Sequence, residues 1–347
     1  MSADVAILGH GRFGRALAEL AEDAGLAVRA LDPGAEVPEA RRAESLAALI
    51  ADAPLVVIAV PVPAMPAALA SIAPLLRPEQ LVMDVGSVKV LPVQAMSAAL
   101  GERIPWIATH PLFGPTSLAL AERPLRVVIC PSAAHPTAAT RARAFYERLG
   151  CWTIEQDAHA HDKAMAETHA LAFFVAKGML DAGVDTRVPF APPSFQAIAR
   201  TVDVVRGDAG HLFAAICADN PHAGDARRRL LDALTAVNAA LGEPAHDTIA
   251  IAPAPASSAP ASPELANTRD RIDELDQEIV ALLGRRAELS RRAMKAKQRL
   301  GQPLYDPERE SRMLAARRAL ADERGIDAES VEDVFRAILR FSRRVQG

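Results

Sequence analysis

"DVAILGHGRFGRALAELAEDAGLAVRALD", residues 4–32, decides how the first half of this chain folds. A short apolar run leads directly into Gly9-His10-Gly11-Arg12-Phe13-Gly14, and an Ala/Leu-rich helical stretch follows. In such a strand–turn–helix, Gly9 permits the tight turn and Gly11 lets the backbone approach a pyrophosphate. Gly14 lets helix and strand pack closely, and the diphosphate sits at the helix N-terminus where free N–H groups converge. Phe13 lies inside this fingerprint. Asp32 ends the second strand at the expected distance of roughly 20 residues. A carboxylate there accepts hydrogen bonds from ribose hydroxyls and repels a 2′-phosphate, so the expected cofactor is NAD.

Working outward, residues 3 to about 156 alternate short apolar runs with helical segments. "DVAILG", "AVRALD", "LVVIAV", "LVMDVG", "WIATH", "LRVVICP" and "CWTIEQ" read as strands. Runs of this length between helices predict an α/β fold of Rossmann type, with a parallel sheet covered on both faces. From His159 to about Leu241 helical patterns take over. "EPAHDTIAIAPAPASSAPASPE" is a Pro/Ala/Ser-rich tether, and beyond Pro263 the chain reads as all-helical and dense in Arg and Glu. The expected division is a nucleotide-binding domain at 1–157, a helical substrate and dimerisation domain at 158–243, a linker at 244–263 and a three-helix domain at 264–347.

Bulk properties agree with this division. The 347 residues are half hydrophobic, enough for two or three cores, and a net charge of −4 gives no global drive toward nucleic acid or anionic membrane. Cys130, Cys151 and Cys217 are scattered without a CxxC pair, which suits a reduced compartment. The N-terminus enters a strand with no signal-peptide pattern, and Pro61, Pro63, Pro66 and Pro74 interrupt the most apolar stretch. A cytoplasmic enzyme is expected, with no nucleic-acid or membrane partner.

Two more segments follow strands and so fall at the carboxyl edge of the sheet, where ligands of such folds bind. "VMDVGSVKV" (82–90) offers the Ser87 hydroxyl and the Lys89 cation, and "IATHPLFGPTS" (107–117) offers His110, a base titrating near neutrality. "DAHAHDKAMAETH" gathers His159, His161, Asp162 and His169. His161 and His169 stand eight apart, not at the adjacent-turn spacing of helical zinc sites, so no metal is expected. Asp162 and His161 are expected to cap a helix and line the domain interface.

At the far end, "TRDRIDELDQEIVALLGRRAELSRRAMKAK" (268–297) reads as one long helix. Leu265, Ile272, Leu275, Ile279, Leu282 and Leu289 form an apolar seam that requires partner helices. Arg286 and Lys297 lie about 20° apart in azimuth and roughly 16 Å apart along the axis, so they overlook one groove. Arg269 lies about 100° off that azimuth and roughly 25 Å from Arg286. If all three serve one small anion, Arg269 must come from another copy of the chain. Asp306, Arg309 and Glu310 are neighbours on a second helix, and Ser342 and Gln346 stand one turn apart on a third.

The glycine fingerprint, "DVGSVK", "THPLFGP" and "HDKAMA" occur in the order seen in prephenate dehydrogenases, and the likeness spans residues 3 to about 240. The resemblance implies that His110 bonds the ring hydroxyl of prephenate with Ser87 beside it, and that NAD accepts hydride as carbon dioxide leaves. The second histidine that members carry after the HD pair falls at Phe173, with His169 one turn earlier. For the arginine that binds a substrate carboxylate, Arg200 and Arg206 are both candidates, Arg200 slightly ahead. Prephenate and arogenate both remain open as substrates.

Residues 264–347 resemble the all-helical chorismate mutases in a register without gaps. That resemblance implies a carboxylate clamp of Arg286 and the partner subunit's Arg269. It also places Lys297 and Gln346 on the breaking ether oxygen, Asp306 and Glu310 on the ring hydroxyl, and Arg309 and Ser342 in the same pocket. A bifunctional homodimer, dimerising through both helical regions, is therefore expected. The alternatives are a single-function dehydrogenase with a non-catalytic helical module, or a different Rossmann oxidoreductase acting on a β-hydroxy acid.

Overall fold

The computed structural model describes residues 3–119, 124–207, 211–241, 263–303 and 305–345. Seven strands form one sheet: β1 (Val5–Leu8), β2 (Val28–Leu31), β3 (Leu55–Ile58), β4 (Leu81–Asp84), β5 (Trp106–Pro111), β6 (Leu125–Cys130) and β7 (Cys151–Glu155). Their spatial order is β2-β1-β3-β4-β5-β6-β7. Each strand coincides with one of the apolar runs. The central ones are buried on both faces because helices cover both.

Interleaved helices are α1 (Arg12–Asp23), α2 (Leu46–Ile50), α3 (Met65–Ile72), α4 (Val90–Leu100), α5 (Pro115–Ala119) and α6 (Ala138–Arg148). Leu49, Ile50, Leu69, Ile72, Met96 and Leu100 from α2, α3 and α4 share a core with Val56, Ile58 and Val82 of the sheet. The end of α6 meets the end of α1, Arg148 donating to the carbonyls of Ala24 and Gly25.

The sheet departs from the all-parallel expectation at one place. β5 and β6 pair antiparallel, with Ala108 opposite Cys130 and His110 opposite Val128, while β6 and β7 are parallel to each other. A parallel crossover needs a substantial connection, usually a full helix. The described part of the segment between β5 and β6 holds only the five-residue α5, and the chain returns alongside β5.

α7 (Ala158–Met165), α8 (Leu171–Asp181), α9 (Pro193–Arg206), α10 (His211–Cys217) and α11 (Ala223–Leu241) follow. Asp157 caps α7, accepting from the backbone of His159 and Ala160. One π turn (Ala166–Ala170) joins α7 to α8 without a break. Small residues there, Ala166 and Ala170, pack with Phe173, Val202, Val205 and Ile216 as a second core.

The second unit, Thr116–Pro124 with Ala252–Gly347, carries three long helices, α12 (Pro263–Arg299), α13 (Pro307–Glu323) and α14 (Ala328–Val345). α12 carries 37 residues, so it is about 55 Å long at 1.5 Å per residue. The tether expected at 244–263 lies, apart from its last residue, outside the described residues. All three cysteines are free and buried. Among the described residues no helix is long and apolar enough to cross a membrane.

Candidate active sites

The glycine turn is built by steric necessity. Gly9 has φ +103°, and a Cβ there would come within 2.5 Å of the Ala59 carbonyl oxygen, so the loops after β1 and β3 approach as only glycine permits. A Cβ on Gly14 would lie 2.2 Å from the carbonyl oxygen of Gly9. At Gly11 a Cβ would meet nothing within 4 Å, so the backbone just before α1 is open, as an anion site at a helix N-terminus requires. Asp32 is fixed by three backbone N–H groups: His10 donates to Oδ2 at 2.6 Å, and Gly34 and Ala35 donate to Oδ1 at 2.7 and 3.0 Å. With two lone pairs per oxygen, Oδ2 keeps one for a ribose hydroxyl. The arrangement suits a dinucleotide.

Phe13 of this turn meets Phe113 of the "THPLFGP" loop at 6.0 Å between ring centroids, which ties the turn to the His110 segment. His110 itself sits near the carboxyl end of β5 and is buried. Its Nδ1 lies 2.9 Å from Nε2 of His161, and Nδ1 of His161 lies 2.8 Å from Oδ1 of Asp162. Burial first, then the neighbouring His161, Lys89 and His169, hold the His110 imidazole well below its ordinary range. It is therefore neutral, as a general base must be.

Asp162 does cap a helix, but a distant one. Its oxygens accept from the backbone N–H groups of Lys89 and Val90, at 2.7 and 2.8 Å, where α4 begins. One carboxylate thus anchors α7 to α4 and holds His161 at the same time. His159 turns away, its ring 6.1 Å from that of His222. Among the described residues no three His, Cys, Asp or Glu side chains gather as metal ligands.

Lys89 is not a cation offered to a ligand. It is fully buried, donating to Asp84 at 2.5 Å and to the Thr109 carbonyl at 2.5 Å. Asp84 also accepts from the backbone of Gly86 and Thr109, and the Thr109 hydroxyl bridges the Asp84 carbonyl and the Tyr146 hydroxyl. Burial raises the Asp84 carboxyl despite the neighbouring ammonium. This network locks the carboxyl ends of β4 and β5 together and places a positive charge behind His110. Ser87 is half-buried on the same loop, and no hydrogen bond joins it to His110 among those described.

His169, on the π turn, packs edge-on against Phe173 at 4.7 Å and lies close enough to His110 to depress it electrostatically. Burial lowers the His169 imidazole as well. Of the two arginine candidates on α9, Arg206 is engaged by Asp203 at 2.7 Å and by the Thr186 hydroxyl at 3.2 Å. Arg200 is exposed and makes no described hydrogen bond or ion pair, which leaves it the better candidate for a ligand carboxylate.

In the C-terminal unit, Arg286 donates to the Ser342 hydroxyl, so the structure brings α12 and α14 together at that pair. Ser342 is buried and also donates to the Ile338 carbonyl. Partial burial lowers the Arg286 guanidinium; Glu310 opposes that shift, while the charges of Arg309 and Arg317 add to it. Glu310 is held by Arg343 at 3.1 Å, a partner the sequence pattern did not single out. Asp306 caps α13, accepting from the Arg309 backbone at 2.9 Å. Lys297 is half-buried on α12. The side chain of Arg269 and the whole of Gln346 lie outside the described residues.

Comparison with known proteins fits this geometry. Residues 20–154 match the nucleotide-binding domain of prephenate dehydrogenase, a stretch that begins after the glycine turn, and residues 268–347 match chorismate mutase type II. The 4-amino-4-deoxyprephenate dehydrogenase of Streptomyces pristinaespiralis is 30% identical over 269 residues, covering 71% of this chain and 87% of that protein. The chain belongs to the prephenate dehydrogenase family.

To this family's architecture it joins a C-terminal mutase-type domain. There the T-protein of Enterobacter agglomerans is 43% identical over 79 residues, or 23% of this chain. The match takes up 21% of that relative's length. A solved prephenate dehydrogenase from A. aeolicus, in complex with hydroxyphenyl propionate and NAD+, shares the fold with a TM-score of 0.55. It is 17% identical, and the likeness covers 80% of this chain and 99% of that one.

Proposed function

We propose that the chain is a bifunctional enzyme of tyrosine biosynthesis. Its C-terminal unit rearranges chorismate to prephenate, and its N-terminal unit oxidatively decarboxylates prephenate to 4-hydroxyphenylpyruvate with NAD. The observation that carries this reading is the neutral, buried His110 beside an open dinucleotide turn, in a chain that also carries a mutase-type arginine cluster. The product of one site is the substrate of the other.

In the dehydrogenase half, Gly9, Gly11, Phe13 and Gly14 form the cradle and Asp32 holds a ribose hydroxyl. NAD, when bound, supplies the hydride acceptor. His110 accepts the proton of the ring hydroxyl as the carbinol is oxidised, with Ser87 close to the hydroxyl and His169 and Arg200 on the substrate side. Because the ring becomes aromatic, the residues chiefly position the substrate and hold one proton. Asp32→Ala is expected to relax the preference for NAD over NADP, seen as a fall in the ratio of the two kcat/KM values.

The mutase half needs no nucleophile and no relay. It must fold chorismate into a chair-like conformer and stabilise charge on the ether oxygen. Arg286 and the partner subunit's Arg269 clamp the carboxylates. Lys297 and Gln346 donate to the ether oxygen, and Asp306, Arg309, Glu310 and Ser342 complete the pocket. A homodimer is proposed because apolar side chains are exposed in the single copy. Leu231, Leu234, Val237 and Leu241 on α11, and Ile279, Leu282 and Leu289 on α12, are each close to half exposed or more. The same reading divides the chain at 157, 243 and 263 and places it in the cytoplasm.

The deciding experiment is a coupled assay from chorismate plus NAD. Formation of NADH and 4-hydroxyphenylpyruvate supports both activities; prephenate accumulating without NADH would remove the dehydrogenase half. Because one relative acts on 4-amino-4-deoxyprephenate, the ring-amino analogue and arogenate belong in the same assay. Prephenate is expected to be preferred, since it is what the mutase half makes.

A further inference from the structure

We propose that His161, fixed by Asp162, is a positioning residue that holds His110 in the Nδ1–H tautomer and so leaves its Nε2 as the open base. This deepens the dehydrogenase reading and rests on it.

The argument begins at the carboxylate. Asp162 is fully buried and accepts two backbone N–H groups, at 2.7 Å from Lys89 and 2.8 Å from Val90. An ionised carboxylate only accepts, so Nδ1 of His161, 2.8 Å from Oδ1, carries a proton. A neutral His161 then has a lone pair on Nε2. That atom lies 2.9 Å from Nδ1 of His110, which must donate to it. With Nδ1–H fixed, the neutral His110 ring has its remaining lone pair on Nε2, where no hydrogen bond is described. Tautomer choice is thus passed from the α4 N-terminus through Asp162 and His161 to the base.

The chain also works in the charged state. NAD, held by the glycine turn and Asp32, would supply the hydride acceptor for the carbinol carbon, and the hydroxyl proton moves to Nε2 of His110. The bond to the ring carboxylate breaks, carbon dioxide departs, and its electron pair completes the aromatic ring. The ring oxygen takes the proton back from His110. Between those two transfers the imidazolium is stabilised through His161 by the negative Asp162. A proton placed instead on Nε2 of His161 reverses the hydrogen bond. His110 then carries Nε2–H and cannot act as base.

The test uses the full chain and two substitutions. In His161→Gln the amide oxygen can accept from His110 and the amide nitrogen can donate to Asp162, so the polarity of the chain survives. His161→Leu cannot do this. For prephenate oxidation, kcat is expected to fall about 100-fold in His161→Leu, with KM for prephenate and NAD little changed and chorismate turnover intact. His161→Gln is expected to lose less than about tenfold, the scale of one altered hydrogen bond.

Nitrogen-15 spectra of histidine-labelled wild-type protein supply a readout independent of turnover. The Nδ1–H pattern is expected at His110, with Nε2–H appearing in His161→Leu. An Nε2–H pattern in the neutral wild type, or normal kcat in His161→Leu, overturns the proposal. If prephenate is not oxidised but the Nδ1–H pattern is found, the functional reading fails while the tautomer assignment stands.

Discussion

The two candidate sites solve different chemical problems, and their surroundings differ accordingly. Behind His110 a framework of polar groups is buried and paired: Asp84 with Lys89, Thr109 with Tyr146, His161 with Asp162. Around Arg286 the charges are partly exposed and mostly of one sign, with Arg309 and Arg317 pressing on it and Glu310 held by Arg343. A general base must have a defined tautomer and stay neutral, which only a rigid, dry framework enforces. A carboxylate clamp needs uncompensated positive charge, which is tolerable only while water still reaches it. On the proposed roles, one site is finished before its ligand arrives, and the other is completed by it.

The sharpest way to break this contrast is to disable each site alone. His110→Ala is expected to lower kcat for prephenate oxidation by about 10³-fold or more while leaving chorismate turnover unchanged. Arg286→Ala should do the reverse, with a comparable loss. Separate assays of the two half-reactions check this, and a joint loss in either variant would mean the sites are one. Arg269→Ala is expected to be as inactive a mutase as Arg286→Ala. When the two inactive variants exchange subunits, one site of each mixed dimer carries both lesions and the other carries neither, so up to half the activity per mixed dimer should return. No recovery despite proven exchange would place Arg269 and Arg286 in the same copy's pocket.

The next test concerns the framework behind His110. Lys89→Met leaves Asp84 buried without its counter-charge and is expected to cost about 3–5 kcal/mol. Both tryptophans, Trp106 and Trp152, belong to the N-terminal unit, so their fluorescence in urea follows that unit alone. Pairing Lys89→Met with Asp84→Leu should recover much of the loss. If Lys89→Met unfolds at the wild-type midpoint, the ion pair does not hold β4 to β5.

Much of this was legible in the sequence, because the relevant signals are local. Seven apolar runs became seven strands, and Gly9 and Gly14 permit the close turn that their spacing predicts. The antiparallel β6 was not legible, since direction depends on a connection whose length suggests a crossover but whose described helix is too short for one. Lys89 read as an available cation because nothing local shows that Asp84 lies beneath it. The His110–His161–Asp162 chain was missed for a related reason. "HDKAMA" shows two polar neighbours on a helix, but their partners, His110 and the start of α4, are 51 and 73 residues away. Only the assembled fold brings them together.

The smallest expected effect measures how closed the first site is. The His110 imidazole titrates well below its ordinary range, with burial as the leading cause, and burial lowers His169 too. In the unfolded chain both take up a proton near pH 6.5. Below that pH the unfolded state binds more protons than the folded one, so stability falls as pH falls. The slope is at most about 1.4 kcal/mol per pH unit for each such histidine. For His110 the window opens near pH 6.5 and closes at its depressed folded value; above pH 6.5 it contributes no pH dependence. Between pH 6.5 and 5.5 the wild type should therefore lose about 1 kcal/mol that His110→Gln does not lose, read from the shift of the tryptophan-monitored urea midpoint. Equal losses in the two proteins would mean that water reaches His110 well enough for it to titrate normally. The contrast between a finished site and an open one would then fail at its first term.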